Sequence, residues 1–253
     1  MTLLNAVISI AEQAGAAILD IYQKDSAAFN ITGKADNSPL TAADLASHQL
    51  IVNALQALTP ELPILSEEAA DISWNIRKTW QRYWLVDPLD GTKEFIKRNG
   101  EFTVNIALIE DGEPVLGVIY APVLNKTYYA AKGEGAFVKH GDASRAIRVA
   151  TPGDTVRVVG SRSHPSPDLA GYLAQFPKHD MVPVGSSLKF CLVAEGSADV
   201  YPRFGPTMQW DTGAGHIIAL EAGARVSFDG ISRQVYQREN LLNSNFIVSA
   251  LPD

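Results

Sequence analysis

The sequence has little cysteine, a minority of positive charges and no long apolar run, and each of these excludes some classes of protein. Its 253 residues include one cysteine, Cys191, which excludes an intramolecular disulfide and fits a reducing compartment such as the cytoplasm. Positive charge is in the minority, because 21 Lys and Arg face 28 Asp and Glu. The resulting net charge of −7 argues against broad binding to a nucleic-acid backbone. No uninterrupted apolar run reaches the length of a membrane span, so we expect any membrane association to be peripheral.

Two helices are predicted in the first quarter of the chain. Residues 2 to 24 carry apolar side chains at helical spacing, which predicts a long helix with one buried face. This segment lacks the basic start of a signal peptide and is interrupted by polar residues, so we expect it to remain in the mature protein. A second helix is predicted over residues 42 to 58, where Thr41 and Asp44 have the spacing of a capping box.

The rest of the pattern predicts an α+β fold built in layers. Predicted strands cover residues 63–65, 82–86, 103–110, 114–121, 125–131, 135–139, 156–161, 181–184 and 198–202. Predicted helices cover residues 167–176, the segment opened by Gly185-Ser186-Ser187, and residues 210–223. Residues 139–154 are polar and rich in turn formers, so we expect a boundary near residue 150 between subdomains 1–150 and 151–253.

The segment WLVDPLDGTKEF is the most informative part of the sequence. An apolar strand ends in Asp87, a proline turn follows, and Asp90 precedes Gly91-Thr92 at the start of a predicted helix. Two carboxylates this close repel each other unless they are protonated or bridged by a cation, and free N–H groups at a helix start can receive a phosphate. An Asx turn capped by Asp90 is the alternative, and it leaves Asp87 unexplained.

Other acidic residues could join this pair. Glu67 and Glu68 follow a short predicted strand, where a solvated face is the simpler interpretation. Asp211 opens a helix of small and apolar residues, and its simplest role is an N-terminal cap. A cap whose carboxylate also points into a metal cluster is chemically consistent.

Several longer motifs resemble a known family. LSEEA, WLVDPLDGT and WDTGAGHIIALEAG are similar to the signatures of the lithium-sensitive inositol monophosphatase superfamily. KADNSPLTAAD, SRSH, GSSLKFCLVAEG and YPRFGPT resemble the bacterial 3'(2'),5'-bisphosphate nucleotidases within it. This resemblance implies a layered α/β/α/β/α sandwich of the type shared with fructose-1,6-bisphosphatase.

The implied reaction is hydrolysis of the 3'-phosphate of adenosine 3',5'-bisphosphate (PAP) to AMP and phosphate, in the PAP recycling of sulfate assimilation. The 2',5' isomer and the sulfated nucleotide PAPS are implied as further substrates, two or three Mg²⁺ as cofactors, and lithium as an inhibitor. Bacterial relatives imply a cytoplasmic protein, with loose association with the inner membrane as a further option. The sequence leaves the oligomeric state open.

Matched residue by residue, the resemblance also implies site roles. The residues implied to bind Mg²⁺ are Glu67, Asp87, the backbone carbonyl of Leu89, Asp90 and Asp211. Thr92 and Asp44 match the pair that polarises the attacking water, although the capping position of Asp44 already explains a carboxylate there. The residues implied to bind substrate are Glu67, Leu89, Asp90, Gly91, Thr92, Ser161, Arg162, His164, Gly185, Ser186, Ser187, Lys189, Arg203 and Asp211.

A basic set in the second half of the chain bears on which ester is cleaved. Arg162, His164, Lys189 and Arg203 lie in motifs that resemble those of the nucleotidases, where the segments corresponding to SRSH and GSSLKF contribute to nucleotide binding, including the phosphate that is not cleaved. Taken singly, Lys189 and Arg203 are equally well explained as ordinary surface charges. His164 is weaker evidence still, since a lone histidine before a proline is often a loop residue. Their joint occurrence favours a bisphosphorylated nucleotide.

Three alternatives stay open on the sequence. An inositol or sugar monophosphatase would share every metal ligand but offers no second phosphate to the basic set. A haloacid-dehalogenase-like phosphatase would use a nucleophilic aspartate in D-x-D-G-T, whereas the spacing here is D-P-L-D-G-T. A non-enzymatic protein that binds a nucleotide or a metal is the third, and it leaves the complete ligand set without a use.

Overall fold

A computed structural model describes residues 2–33, 39–161, 168–229 and 235–252. The helices are α1 (Leu3–Tyr22), α2 (Ala42–Leu58), α3 (Trp74–Arg77), α4 (Thr92–Ile96), α5 (Leu169–Leu173), α6 (Leu188–Ala194) and α7 (Gln209–Glu221). The strands are β1 (Thr32–Gly33), β2 (Pro39–Leu40), β3 (Ile64–Ser66), β4 (Arg82–Asp90), β5 (Thr103–Glu110), β6 (Glu113–Ala121), β7 (Lys126–Ala131), β8 (Gly135–His140), β9 (Ala143–Ile147), β10 (Val156–Ser161), β11 (His179–Val184), β12 (Val200–Arg203), β13 (Arg225–Phe228) and β14 (Phe246–Ser249). Two 3₁₀ helices cover Ser26–Phe29 and Glu67–Ala69.

Two large sheets organise these elements. The first has the order β3-β4-β5-β6-β7-β8-β9, with β3 parallel to β4 and every other pair antiparallel. The second has the order β11-β10-β12-β14-β13, with β10 parallel to both of its neighbours. Strands of the first sheet precede residue 150 and strands of the second follow it, while α7 packs on the first sheet. Division into two subdomains at residue 150 therefore stays a prediction.

The helices complete a sandwich of five layers. α1 and α2 pack together and cover one face of the seven-stranded sheet. α7 covers its other face, α6 packs beside α7 and against the five-stranded sheet, which α7 also contacts at β13, and α5 packs against β12. The α/β/α/β/α architecture expected from the sequence is confirmed.

Strand β5 shows why the central sheet is apolar on both faces. Its side chains alternate, so that Val104, Ile106 and Leu108 join the core beneath α1 and α2. Ala107 and Ile109 join the core shared by α6, α7 and the second sheet. A strand covered on both faces reads as a continuous apolar run, and this pattern makes its one buried amide, Asn105, conspicuous.

The predicted N-terminal helices are confirmed with small shifts of boundary. α2 begins with the expected capping box, in which the Thr41 N–H donates to Asp44 Oδ2 at 2.8 Å. Among the described residues α1 alone is long and apolar enough to cross a membrane, which is weak evidence because core helices share these properties. In α1, Val7, Ala11 and Ala14 are fully buried, as expected for a core helix.

Other boundaries were predicted wrongly. β4 does not stop at Val86 but runs to Asp90, with a shift of register between Asp87 and Asp90 where Pro88 has no N–H to donate. β9 lies in the stretch expected to be turn-rich, and β13, β14 and α3 were not predicted. The helix expected over residues 167–176 is the shorter α5 in the described part.

Candidate active site

The end of β4 carries the two central carboxylates. Asp87 is 1 % exposed, and its Oδ1 accepts a hydrogen bond from the Leu89 N–H at 3.1 Å. Strand pairing resumes at Asp90, which lies opposite Thr103 of β5. The irregular segment between Asp87 and Asp90 allows both carboxylates to lie at the same end of the sheet, as a β-bulge near an active site does.

Two further carboxylates reach this point from other elements. β3 runs parallel to β4 with Ser66 opposite Val86, so Glu67 follows beside Asp87 and lies within hydrogen-bonding reach of its side chain. Asp211 lies in the first turn of α7, where its Oδ2 accepts from the Met208 N–H at 2.9 Å. Asp211 therefore helps to cap α7 from the third helical position, with Met208 rather than Asp211 as the N-cap residue, and its charge also acts on Asp87.

The four carboxylates are close enough to shift one another's titration. Burial raises the pKa of Asp87 well above its ordinary value, and the charges of Glu67, Asp90 and Asp211 raise it further. Burial also raises the pKa of Asp211, with Asp90 as the largest charge contribution. The side chains of this carboxylate cluster (Glu67, Asp87, Asp90 and Asp211) therefore repel one another in the absence of a cation.

A divalent cation that prefers oxygen ligands would relieve this repulsion. Within the described ranges, no three acidic, histidine or cysteine side chains already stand in metal-binding geometry. The donor set fits Mg²⁺, because it consists of carboxylates and nearby backbone carbonyls and contains no sulfur or imidazole.

Asp44 makes the contacts of a helix cap and a contact with Thr92. Its Oδ2 accepts from the Thr41 backbone and, at 2.5 Å, from the Thr41 hydroxyl, which caps α2. Its Oδ1 accepts from the Thr92 hydroxyl at 3.2 Å, and that hydroxyl lies 3.4 Å from the Leu89 carbonyl oxygen. One carboxylate therefore caps a helix and orients the hydroxyl beside the carboxylate cluster.

Gly91 turns the chain from β4 into α4. Its φ of 93° lies in the left-handed region, and a Cβ there would come within 3.1 Å of the Glu101 carbonyl oxygen. A side chain at this position would be strained by conformation and crowded by its neighbour. The turn therefore starts α4 at Thr92, directly after Asp90 of the carboxylate cluster.

Lys189 is not a surface charge. It is 6 % exposed, and its ammonium donates to the Ser186 carbonyl at 2.6 Å. Burial lowers its pKa to about 8, while the charges of Asp90 and Asp211 act in the opposite direction. Arg203 contributes to the lowering, which shows that the two cations lie near each other.

The other residues expected to bind substrate differ in their surroundings. Arg203 donates to the Pro206 carbonyl at 3.0 Å, and its buried Nε has no hydrogen-bond partner among the described residues. Gly185 donates its N–H to the Glu101 carboxylate at 2.8 Å. Ser161 ends β10, while Arg162 and His164 lie outside the described residues.

The structure adds polar residues that sequence reasoning missed. Asn105 lies 1 % exposed on β5, and its amide donates to the Ser187 hydroxyl at 2.9 Å. Ser47 of α2 donates to the Pro88 carbonyl at 2.7 Å and holds the irregular part of β4. The signal for Asn105 was available, since an amide in the apolar run TVNIALIE needs buried partners.

Comparison with known proteins places this site in a family. The sequence model of the inositol monophosphatase family matches residues 1–250. The chain belongs to this family. Its members are metal-dependent phosphatases, so the carboxylate cluster lies in a fold that supports metal-assisted phosphate chemistry.

Individual members of the inositol monophosphatase family match over nearly their full length. The protein named 3'(2'),5'-bisphosphate nucleotidase CysQ from Escherichia coli (strain K12) is 52 % identical over 248 residues, which cover 98 % of this chain and 99 % of the relative. The crystal structure of CysQ from Bacteroides thetaiotaomicron has 44 % identity and a TM-score of 0.87, covering 99 % and 97 % of the two chains. An IMPase from Thermotoga maritima has 27 % identity and a TM-score of 0.80, covering 98 % and 92 %.

Proposed function

We propose that this chain hydrolyses the 3'-phosphate of adenosine 3',5'-bisphosphate to AMP and phosphate in a Mg²⁺-dependent reaction. The observation that carries the proposal is the convergence of Glu67, Asp90 and Asp211 on the buried Asp87. The 52 % identity to the nucleotidase from Escherichia coli supports the nucleotide substrate. Hydrolysis of the 2',5' isomer and of PAPS, and a place in sulfur metabolism, extend the same proposal.

The proposed cation ligands follow from the carboxylate cluster. Glu67, Asp87 and the Leu89 carbonyl would hold one Mg²⁺. Asp87 would bridge to a second, held also by Asp90 and Asp211. Bound Mg²⁺ supplies a water of lowered pKa and neutralises charge on the ester and on the leaving oxygen. A third ion would need further oxygen ligands from the substrate or from water.

Thr92 and Asp44 would act on the attacking water. Because the Thr92 hydroxyl donates its proton to Asp44 Oδ1 at 3.2 Å, the lone pairs of Thr92 Oγ1 are free to accept from a water. The capping bonds from Thr41 hold Asp44 in place during this contact. The N–H groups of Gly91 and Thr92 would receive the oxygens of the cleaved phosphate.

Lys189 and Arg203 would bind the part of the substrate that is not cleaved. Burying the Lys189 ammonium is unfavourable, as its lowered pKa shows, and an anion beside it would offset that cost. The buried Nε of Arg203 needs an acceptor, which a phosphate oxygen can supply. The backbone from Gly185 to Ser187, together with residues 161–164, would complete the nucleotide contacts.

The substrate is tested by measuring phosphate release from four compounds at one Mg²⁺ concentration. We expect adenosine 3',5'-bisphosphate and its 2',5' isomer to be hydrolysed with a higher kcat/KM than AMP or inositol 1-phosphate. Preference for inositol 1-phosphate would establish the inositol monophosphatase alternative. Release from none of the compounds would favour a protein that only binds nucleotide or metal, and a phosphoaspartate trapped at Asp87 would indicate haloacid-dehalogenase-like chemistry.

Lys189→Ala tests the second phosphate directly. Loss of one charge-assisted contact should lower kcat/KM for the bisphosphate by about ten- to a hundredfold, with a smaller effect on a simple monophosphate. Lys139→Ala is a matched control, because Lys139 pairs with Glu12 at 2.7 Å on the other side of the first sheet. Equal losses on both substrates would assign Lys189 to the cleaved phosphate or to the scaffold.

A cytoplasmic location, with or without loose membrane association, stays a prediction. The buried single thiol, Cys191, is consistent with it, since burial raises its pKa and keeps it unreactive. The interaction of the apolar faces of α1 with the sheet supports a core role for that helix.

A further inference from the structure

The Ser187 hydroxyl contacts two residues of the carboxylate cluster, Asp90 through its side chain and Asp211 through its backbone. Ser187 is 3 % exposed and immediately precedes α6. Its Oγ lies 2.6 Å from Asp90 Oδ2 at the end of β4 and 2.7 Å from the Asp211 carbonyl oxygen in α7. Three elements that are distant in sequence therefore meet on one buried oxygen.

The direction of the hydrogen bonds can be worked out from the donors available. The Thr103 hydroxyl donates to Asn105 Oδ1 at 3.0 Å, which turns the amide nitrogen of Asn105 toward Ser187. That nitrogen donates to Ser187 Oγ at 2.9 Å and lies 3.4 Å from Asp90 Oδ2. The Ser187 oxygen accepts this bond with one of its two lone pairs, and its single proton is shared between Asp90 and the Asp211 carbonyl.

The chain of donors ends on a charged group. A hydrogen bond to a carboxylate is stronger than one between neutral groups, and in a buried setting it fixes the orientation of the acceptor. The network occupies Asp90 Oδ2 and leaves Oδ1 free of these donors. A carboxylate held in this way can present its other oxygen to a cation without losing side-chain freedom on binding.

We propose that Ser187 and Asn105 are positioning residues that hold the Asp90 carboxylate in the orientation needed to bind a cation. This inference rests on the proposed function, because it takes Asp90 as a metal ligand. It departs from the substrate-contact role expected for Ser187, since the hydroxyl is committed to Asp90 and Asp211. Any contact of Ser187 with substrate would be made by its backbone.

Ser187→Ala tests the inference with little change in volume. We expect the affinity for Mn²⁺, followed by the EPR signal of the free ion, to fall by about tenfold, as for other groups that orient metal ligands. The Mg²⁺ concentration for half-maximal activity should rise by a similar factor, while KM for the bisphosphate at saturating Mg²⁺ should change by less than about twofold. Asn105→Ala is a second variant with the same expected direction.

Thr127→Val is the matched control. Thr127 is 2 % exposed, and its hydroxyl donates to the Glu12 carboxylate at 2.9 Å, so the substitution removes the same kind of buried bond elsewhere in the fold. We expect the control to lower the melting temperature without changing Mn²⁺ affinity. The Ser187→Ala and Asn105→Ala effects on affinity should also fail to add in the double variant, because Asn105 acts mainly through Ser187.

Two results would overturn the inference. Unchanged Mn²⁺ affinity in Ser187→Ala and Asn105→Ala, with a melting temperature lowered as in Thr127→Val, would make the network part of the scaffold. A raised KM at saturating Mg²⁺ with unchanged Mn²⁺ affinity would make the Ser187 hydroxyl a substrate contact. Failure of the proposed function can be distinguished from these results. In that case the wild-type protein would release no phosphate, while Ser187→Ala could still lower its Mn²⁺ affinity.

Discussion

Replacing Lys189 by methionine should make the metal-free protein more stable and less active. Lys189 is buried, its ammonium donates to the Ser186 carbonyl, and it lies 5.6 Å from the centre of the Tyr201 ring. Methionine has similar length and fills the same space without a charge. The variant therefore separates the cost of burying the ammonium from the packing of its side chain.

The magnitude follows from the pKa of Lys189. A fall from 10.5 to about 8 corresponds to roughly 3 kcal/mol of unfavourable free energy for burying the charged amine. Methionine leaves the Ser186 carbonyl without its donor, which costs about 1 kcal/mol. We expect a net gain of about 2 kcal/mol in the free energy of unfolding at pH 7, or roughly 4 to 8 °C in melting temperature for a chain of this size.

The gain should depend on pH in a defined direction. Between pH 8 and 10.5 the unfolded protein binds more protons at Lys189 than the folded protein, so the wild type gains stability as pH rises. The advantage of Lys189→Met should be complete below about pH 8 and should disappear toward pH 10.5. Above that range the lost contact to Ser186 should leave the variant the less stable of the two.

Urea unfolding of both proteins in EDTA, at several pH values from 7 to 10.5, measures this difference. EDTA is needed because bound cations would change the charge beside Lys189. A destabilised variant at pH 7, or a stability difference that does not vary with pH, would refute the reasoning from burial of the charge. The phosphate-release assay should show in parallel that the more stable variant uses the bisphosphate poorly.

Three other outcomes test the remaining parts of the site. Asp90→Asn should lower kcat by about a thousandfold or more at saturating Mg²⁺ with the fold intact by circular dichroism, and retention of a tenth of the activity would remove Asp90 from the ligand set. Lithium should inhibit where sodium does not, and calcium should inhibit by filling the carboxylate cluster with longer oxygen distances, as activity titrations will show. Asn243→Ala should destabilise the protein by about 1 to 3 kcal/mol in urea, because Asn243 donates to the Met208 carbonyl at 2.7 Å beneath the start of α7.

The sequence predicted the elements whose signals are local. α2 could be located from Thr41 and Asp44 because a capping box involves residues three apart. The strand periodicity of β5 and β6 likewise depends only on neighbouring residues. The sequence left two interpretations of Asp44 open because a carboxylate has two oxygens. The capping contact is local, whereas only the fold brings Thr92 to the second oxygen.

Features that depend on distant residues could not be predicted. The extension of β4 to Asp90 requires Thr103 of β5 as a partner, and strand register is not visible in either segment alone. β14 pairs with β12 and β13, so its four residues gain strand structure from neighbours. Ser187 was expected to contact substrate because its motif resembles a nucleotide-binding segment and opens a predicted helix. Its hydroxyl partners instead come from β4, β5 and α7.

The same distant contacts explain why the site is electrostatically unfavourable until ligands bind. Burial raises the pKa values of Asp87 and Asp211 and lowers that of Lys189, so it favours the neutral form of each side chain. Charged side chains of both signs are therefore unfavourable in this site. A phosphate ester alone would meet the repulsion of the carboxylates, and cations alone would lower the pKa of Lys189 further. Bound Mg²⁺ removes the repulsion between the carboxylates and the ester, and the bound ester stabilises the charged form of Lys189. Mg²⁺ and the anionic ester should therefore bind with positive coupling. The direction of that coupling follows from the placement of the charges alone, and it requires no movement of the fold.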